Sequence, residues 1–173
     1  MRIVLISLGV LLALFIGWIC LAIVRRRLRR EEHGGQPPSE AEIREFILKI
    51  PQMAEDHRTS AREIFGVELD YSAESIQKLE IMIRDGWPDG PPIMLDQTVT
   101  AFGSYFGETI RAIHGGEWRY DDTHGLHFQV GTSDMKIFPF KKVRKRFVNG
   151  SEDSLTYFYS YIAAQQKGDI TEG

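Results

Sequence analysis

Apolar and polar positions along this chain alternate with different periods in different regions, and each period predicts a different kind of element. Residues Ile3 to Val24, IVLISLGVLLALFIGWICLAIV, are apolar on every face and carry no charge. At about 1.5 Å per residue this stretch spans roughly 33 Å, enough to cross a hydrocarbon core of about 30 Å. A buried core helix rarely stays apolar all round for so long, so the pattern predicts a transmembrane helix. A cleaved signal peptide is the rival, but its apolar region is usually about 7 to 15 residues long and ends in a small-x-small site. Here the run ends in RRRLRR, Arg25 to Arg30, which predicts a retained anchor.

A helical period follows. Ile43, Phe46, Ile47 and Ile50 mark one face, and Ser39 with Glu42 has the spacing of a capping box. Pro51 is expected to end that helix or to open the next at its first position. Met53, Ala54, Ala61, Ile64 and Phe65 then form a thinner stripe that Gly66 stops, so residues 39–66 predict a helical hairpin. Ser72 is placed to cap a helix whose Ile76, Leu79, Met82 and Ile83 share a face ending at Gly86. WPDGPP is a loop by its prolines and turn residues. A core helix over about Ile93 to Ile113 carries Val99, Phe102, Phe106, Ile110 and Ile113.

Beyond His114 the period shortens toward two. EWRY, LHFQV and MKIFPF, separated by the turn-like DDTHG and GTSD, predict a three-stranded antiparallel meander. Such a sheet is marginal alone and needs helices on one face. KKVRKRFVNG continues as a short helix with Val143 and Phe147 inward, closed by Asn149-Gly150. Ser151 is expected to cap a last helix with Leu155, Phe158, Tyr159 and Ile162 toward the core, although TYFYSYI also alternates as a strand. The predicted fold class is α+β: an N-terminal transmembrane helix, then helices packed with a meander and C-terminal helices. Its divisions are an anchor at 1–30, a linker at 31–38, the hairpin at 39–66, an α+β domain at 67–164 and a polar, frayed tail at 165–173.

Charge fixes orientation and narrows function. The chain of 173 residues has 21 Lys and Arg against 24 Asp and Glu, a formal −3. Six of the basic residues are Arg2 and the five between Arg25 and Arg30, whereas every acidic residue lies from Glu31 onward. Residues 31–173 therefore hold 15 basic and 24 acidic side chains, a net −9. Basic residues flanking a span stay on the cytoplasmic side. The expected topology is thus a single pass in the inner (plasma) membrane, N-terminus out, with the body cytoplasmic and lipid bound through residues 3–24. An acidic body argues against nucleic acid, because phosphate binding needs a positive field. The single cysteine, Cys20, allows no intrachain disulfide and no thiolate cluster.

The densest patterning is FGSYFGETIRAIHGGEW, Phe102 to Trp118. Gly103 and Gly107 lie one helical turn apart, and each costs about 1 kcal/mol relative to alanine in a helix interior. Close approach of another element would compensate. Glu108 lies three residues before Arg111 and predicts an ion pair with it. A second reading makes Glu108 a general base or polar anchor in a cleft, with Tyr105, Arg111 and Trp118 as the neighbouring ligand-binding candidates. HGGEW ends the helix with a left-handed glycine cap, returning Trp118 to the core.

FGSYFGETIR with GGEW, then FPFKKVRKRFVNGSEDSLTYFY, resembles small uncharacterised bacterial domains with a Gly-x-Tyr-x-Gly-Glu helix, a Gly-Gly-x-Trp strand start and a Phe-Pro-x-x-Lys-Val block. The resemblance covers about residues 67–162, on Gly103, Tyr105, Gly107, Glu108, Gly115, Gly116, Trp118, Phe138, Pro139, Lys142 and Val143. It implies a shared α+β fold and no activity.

Other constellations are weaker. His124 and His127 follow Asp121 and Asp122, but residues three apart on a strand face opposite ways, so no metal site is expected. Nothing has the form of a phosphate loop or a nucleophile elbow, and no cofactor is expected. Lys141, Lys142, Arg144, Lys145 and Arg146 form either a solvated helix face or a membrane-surface patch, each residue near an anionic leaflet contributing about 1 kcal/mol. The preferred function is a membrane-tethered binding module whose ligand is another protein. The alternatives are a small hydrolase-like enzyme using Glu108 with His114 or His127, and a mainly structural membrane protein.

Overall fold

The stripe that begins at Ile43 does not stop at Pro51. In the computed structural model, which describes residues 38–171, one helix, α1, runs unbroken over Glu40–Phe65 with Pro51 inside it. The expected hairpin at 39–66 is therefore corrected to a single long helix. Proline in a helix interior removes a backbone hydrogen bond and costs about 3 kcal/mol or more. Ile50, Ala54, His57 and Ala61 form one buried line that straddles the proline. Breaking the helix at Pro51 would split that line, and its burial outweighs the local cost.

Helix α2, Ala73–Gly86, matches its expected bounds. The Ser72 hydroxyl accepts from the Ser75 amide at 3.3 Å, satisfying a first-turn donor as a cap should. Helix α3, Leu95–His114, is the central element, with Val99, Phe102, Tyr105, Phe106 and Ile110 all buried. It packs along α1 and also touches α2 and the sheet. Gly115, at φ 71°, ends it in the left-handed region, with its N–H donating to the Arg111 carbonyl.

Strands β1 (Gly116–Asp121), β2 (Gly125–Val130) and β3 (Lys136–Ile137) form an antiparallel sheet in that order, with Trp118 opposite Phe128 and Phe128 opposite Ile137. The third strand is shorter than MKIFPF suggested. Pro139 opens helix α4, Pro139–Asn149, at its first turn, where the missing N–H is no loss. A 3₁₀ turn, Gly150–Asp153, leads into helix α5, Leu155–Thr171. Ser154 rather than Ser151 supplies the cap, its hydroxyl accepting from the Tyr157 amide at 3.2 Å. The strand alternative for 155–162 is thus excluded, and the expected frayed tail is helical as far as Thr171.

The architecture of the described residues is α+β and mostly helical, and from Glu40 onward they form one compact unit. Residues on both sides of the expected boundary at 66/67 share one core: Ile50 and Ala54 from α1 join Leu79, Phe106, Phe128 and Leu155. Among the described residues no helix is long and apolar enough to cross a membrane. The expected span at 3–24 and the arginines after it lie outside the described residues.

Candidate functional site

The two glycines of α3 are where the fold closes most tightly. A Cβ on Gly107 would overlap the six-membered ring of Trp118 and lie 3.3 Å from Pro139 Cγ. A Cβ on Gly103 would come within 2.5 Å of Phe140 Cδ1 and 3.1 Å of the Phe140 Cα. The bare backbone therefore lets β1 and the start of α4 rest directly on α3. Trp118 is held on its other sides by Phe128 and Phe140, with ring centroids 5.3 and 5.2 Å away.

Glu108 sits at the edge of this joint with its side chain 11% exposed. The Trp118 indole N–H donates to Glu108 Oε1 at 2.7 Å, and Arg111 Nη1 lies 3.2 Å from Oε2. One oxygen thus satisfies a buried donor that apolar packing would otherwise strand, and the other meets a half-exposed cation. Neither His114 nor His127 is among the hydrogen-bond or ion-pair partners of Glu108. The sequence candidates Glu108, Arg111 and Trp118 are brought together, but as one another's partners.

Tyr105 belongs to a different cluster. It is fully buried, stacks on Tyr71 at 4.7 Å, and its hydroxyl accepts from the Tyr71 amide at 2.8 Å. That bond holds Tyr71 at φ 61°, a conformation costly for a bulky side chain. The Tyr71 hydroxyl donates to Glu55 at 2.7 Å, which lowers the Glu55 pKa, and burial raises that of Tyr71. Asp70 accepts from the hydroxyls of Ser72 and Ser75, both at 2.6 Å, and these bonds hold its carboxyl well below the usual range. This network fastens the 67–72 connection to α1, α2 and α3. Only its Ser72 cap was visible in the sequence.

Two of the histidines are packed into the fold. His57 is buried against Phe102, centroids 4.2 Å apart, and burial pushes its pKa down to about 4. His127, equally buried, donates through Nδ1 to the Gly125 carbonyl at 2.8 Å. His124 lies in the expected turn DDTHG, where the opposite-face rule for strands does not apply, and its ring lies edge-on to His127 with centroids 5.9 Å apart. Its Nδ1 and backbone N–H contact Asp121 at 2.8 and 2.6 Å, and the backbone bond in particular lowers the Asp121 pKa. No cluster of three or more metal-ligating side chains occurs among the described residues. His114 packs against Tyr159, its Nε2 is buried without a hydrogen-bond partner among the described residues, and it borders an open recess of about 840 Å³ with Ser133, Asp134 and Gln166. Within that recess Gln166 donates to the Ser133 hydroxyl at 3.1 Å, which in turn donates to the Val130 carbonyl at 2.9 Å.

The basic run on α4 is divided by its partners. Buried Arg146 donates to Glu80 of α2, whose second oxygen accepts from the Leu155 amide at 2.8 Å. Lys142 pairs with Asp153 at 2.9 Å, lowering the Asp153 pKa, and Arg144 pairs with Asp96. Lys141 and Lys145 are the exposed lysines beside these pairs, Lys141 lying 4.4 Å above the Phe138 ring. The five residues do not form a single face directed at solvent or lipid.

Sequence reasoning missed an open groove of about 470 Å³ between β3, the start of α4 and α5. Met135, Ile137, Phe138, Phe158 and Tyr161 supply its apolar surface, and Lys136, Lys141, Lys142 and Lys145 its charge. Nothing in one local window signals it, because its walls come from three elements. The chain matches no protein-family model, no curated protein and no solved structure.

Proposed function

We propose that this chain is a membrane-tethered binding module, anchored through residues 3–24 with its body on the cytoplasmic side, and that its ligand is another protein. One observation carries the reading. The carboxylate, phenol and guanidinium candidates Glu108, Tyr105 and Arg146 are occupied in holding the fold together, while the apolar groove beside α5 stays open. Glu108 is taken by Trp118 and Arg111, Tyr105 by Tyr71, and Arg146 by Glu80. The groove instead presents aromatic and methionine side chains, the types enriched where proteins meet. Tyr161 on its wall is 53% exposed, and Tyr157, one turn earlier, is 79% exposed.

Photo-crosslinking of the intact protein in its native membrane tests this. A stoichiometric protein partner is expected; recovery of the chain alone, or with a bound small molecule or metal, would overturn it. For the anchor, a reporter active only in the cytoplasm, fused after Gly173, is expected to be active.

A further inference from the structure

Resting on that reading, we infer that the groove between β3, α4 and α5 takes an acidic segment of the partner with a bulky apolar anchor residue. Phe138 and Phe158 are only partly buried, and buried Ile137 lines the groove with them. Four lysines line the groove and no acidic residue does. Three of the four have acidic neighbours: Lys142 at 2.9 Å from Asp153, Lys136 at 3.4 Å from Asp121, and Lys145, whose charge also helps to lower the Asp153 pKa without a direct ion pair. Lys141 and Lys145 stand one helical turn apart and exposed on the same side of α4.

The sign of this patch opposes that of its surroundings. Residues 31–173 carry a net −9, yet this apolar groove is edged with positive charge. Such an arrangement repels acidic surfaces generally and draws an acidic segment to one place, giving register and encounter rate more than raw affinity. The apolar walls then demand a large side chain, since acidic residues alone would leave them wet. A concave recess suits a projecting side chain better than the flat surface of a bilayer. A second copy of this chain would bring its own excess of negative charge to the whole approach, not to the groove alone.

Full-length protein in phosphatidylcholine nanodiscs can be titrated with three labelled peptide pools. In the first, glutamates flank two central positions drawn from Phe, Trp, Leu and Met. The second replaces the glutamates with lysines, and the third replaces the central pair with Gly-Ser. The first pool is expected to bind at least about tenfold more tightly than either control at low salt. Combined Lys141→Glu and Lys145→Glu should weaken it by about tenfold or more, and Tyr161→Ser should weaken it severalfold. Equal binding of the three pools, no binding of the first, or indifference to the paired charge reversal would overturn the inference. So would displacement of the peptide by phosphatidylserine vesicles with no effect of Tyr161→Ser, which would assign the face to lipid. Self-association abolished by the charge reversal would assign it to a second copy instead. Crosslinking the charge-reversed chain in membranes separates the two readings. A partner retained at full yield defeats the groove and leaves the module standing; no partner with either chain defeats the module itself.

Discussion

Gly107→Ala is the smallest change that tests the joint between α3 and β1. In an open helix it would stabilise by about 1 kcal/mol, because alanine is the better helix former. Here the new methyl would meet the Trp118 ring, and Pro139 Cγ stands 3.3 Å from it. Trp118 has little room to yield, with Phe128 and Phe140 against it and its N–H bound to Glu108 at 2.7 Å. Overpacking typically costs about 1 to 3 kcal/mol. If the indole swings out instead, its hydrogen bond to a charged group, about 1.5 to 3 kcal/mol, is lost along with its burial. Net of the propensity gain, overpacking alone should remove about 1 to 2 kcal/mol and a displaced indole more, a fall in Tm of roughly 3 to 8 °C or greater for a body of this size. Melting the fragment from Ser39 by near-ultraviolet circular dichroism reads both the midpoint and the aromatic packing. Gly86→Ala is the comparison, since its Cβ would meet only the edge of the half-exposed Phe65 ring at 3.3 Å and should cost little. A double-mutant cycle with Trp118→Leu completes the test, because relieving the overlap should make the two changes non-additive. Additive effects, or a Gly107→Ala variant as stable as the parent, would refute the packing account.

Other expectations follow from the same geometry. The unfolded chain protonates His57 near pH 6.5 while the folded chain resists until about 4, so stability should fall as pH drops through that window. The total is about 3 kcal/mol, and His57→Leu should flatten this part of the urea-unfolding profile against pH. Glu80→Ala leaves Arg146 buried without its carboxylate and removes the acceptor for the Leu155 amide; about 3 to 5 kcal/mol should be lost in denaturant titrations. Glu108→Gln keeps an acceptor for Trp118, so a loss of about 1 kcal/mol or less is expected on melting. A stabilised Glu108→Gln would point instead to a carboxylate held in place for function.

Much of the helical framework was legible because period and end signals agree. Ser72 and Gly86 bracket α2, and Phe102, Phe106 and Ile110 draw the buried face of α3. Pro51 misled because its penalty is local, whereas the line from Ile50 to Ala61 that overrules it depends on a neighbouring helix. The pairing of Glu108 with Arg111 could be anticipated from spacing along one helix. The Trp118 donor could not, since the chain turns through Gly115 and Gly116 before returning it to that carboxylate. His124 shows the limit of period-two reasoning: inside the turn DDTHG its ring comes to the same side as that of His127, which strand alternation alone would not give.

Helix α4 shows why a run of like charges does not reveal its own purpose. Its five basic residues look equivalent in sequence, yet Glu80, Asp96 and Asp153, from three other parts of the chain, take Arg146, Arg144 and Lys142. Each of those pairs ties α4 to the body, and Arg146, the most buried, would be costly to leave unmatched. The pairing also settles which charges can act outward. A helical turn separates Lys141 from Lys145, and neither is held in a direct ion pair like those of the other three, although Asp153 feels the charge of Lys145; both stand exposed at the groove's edge. Reversing their charge therefore should not loosen the body, whereas removing Glu80 should. If Lys141→Glu with Lys145→Glu melted as early as Glu80→Ala, that division would be wrong: the two lysines would be holding the fold, and their place beside the groove would say nothing about what binds there.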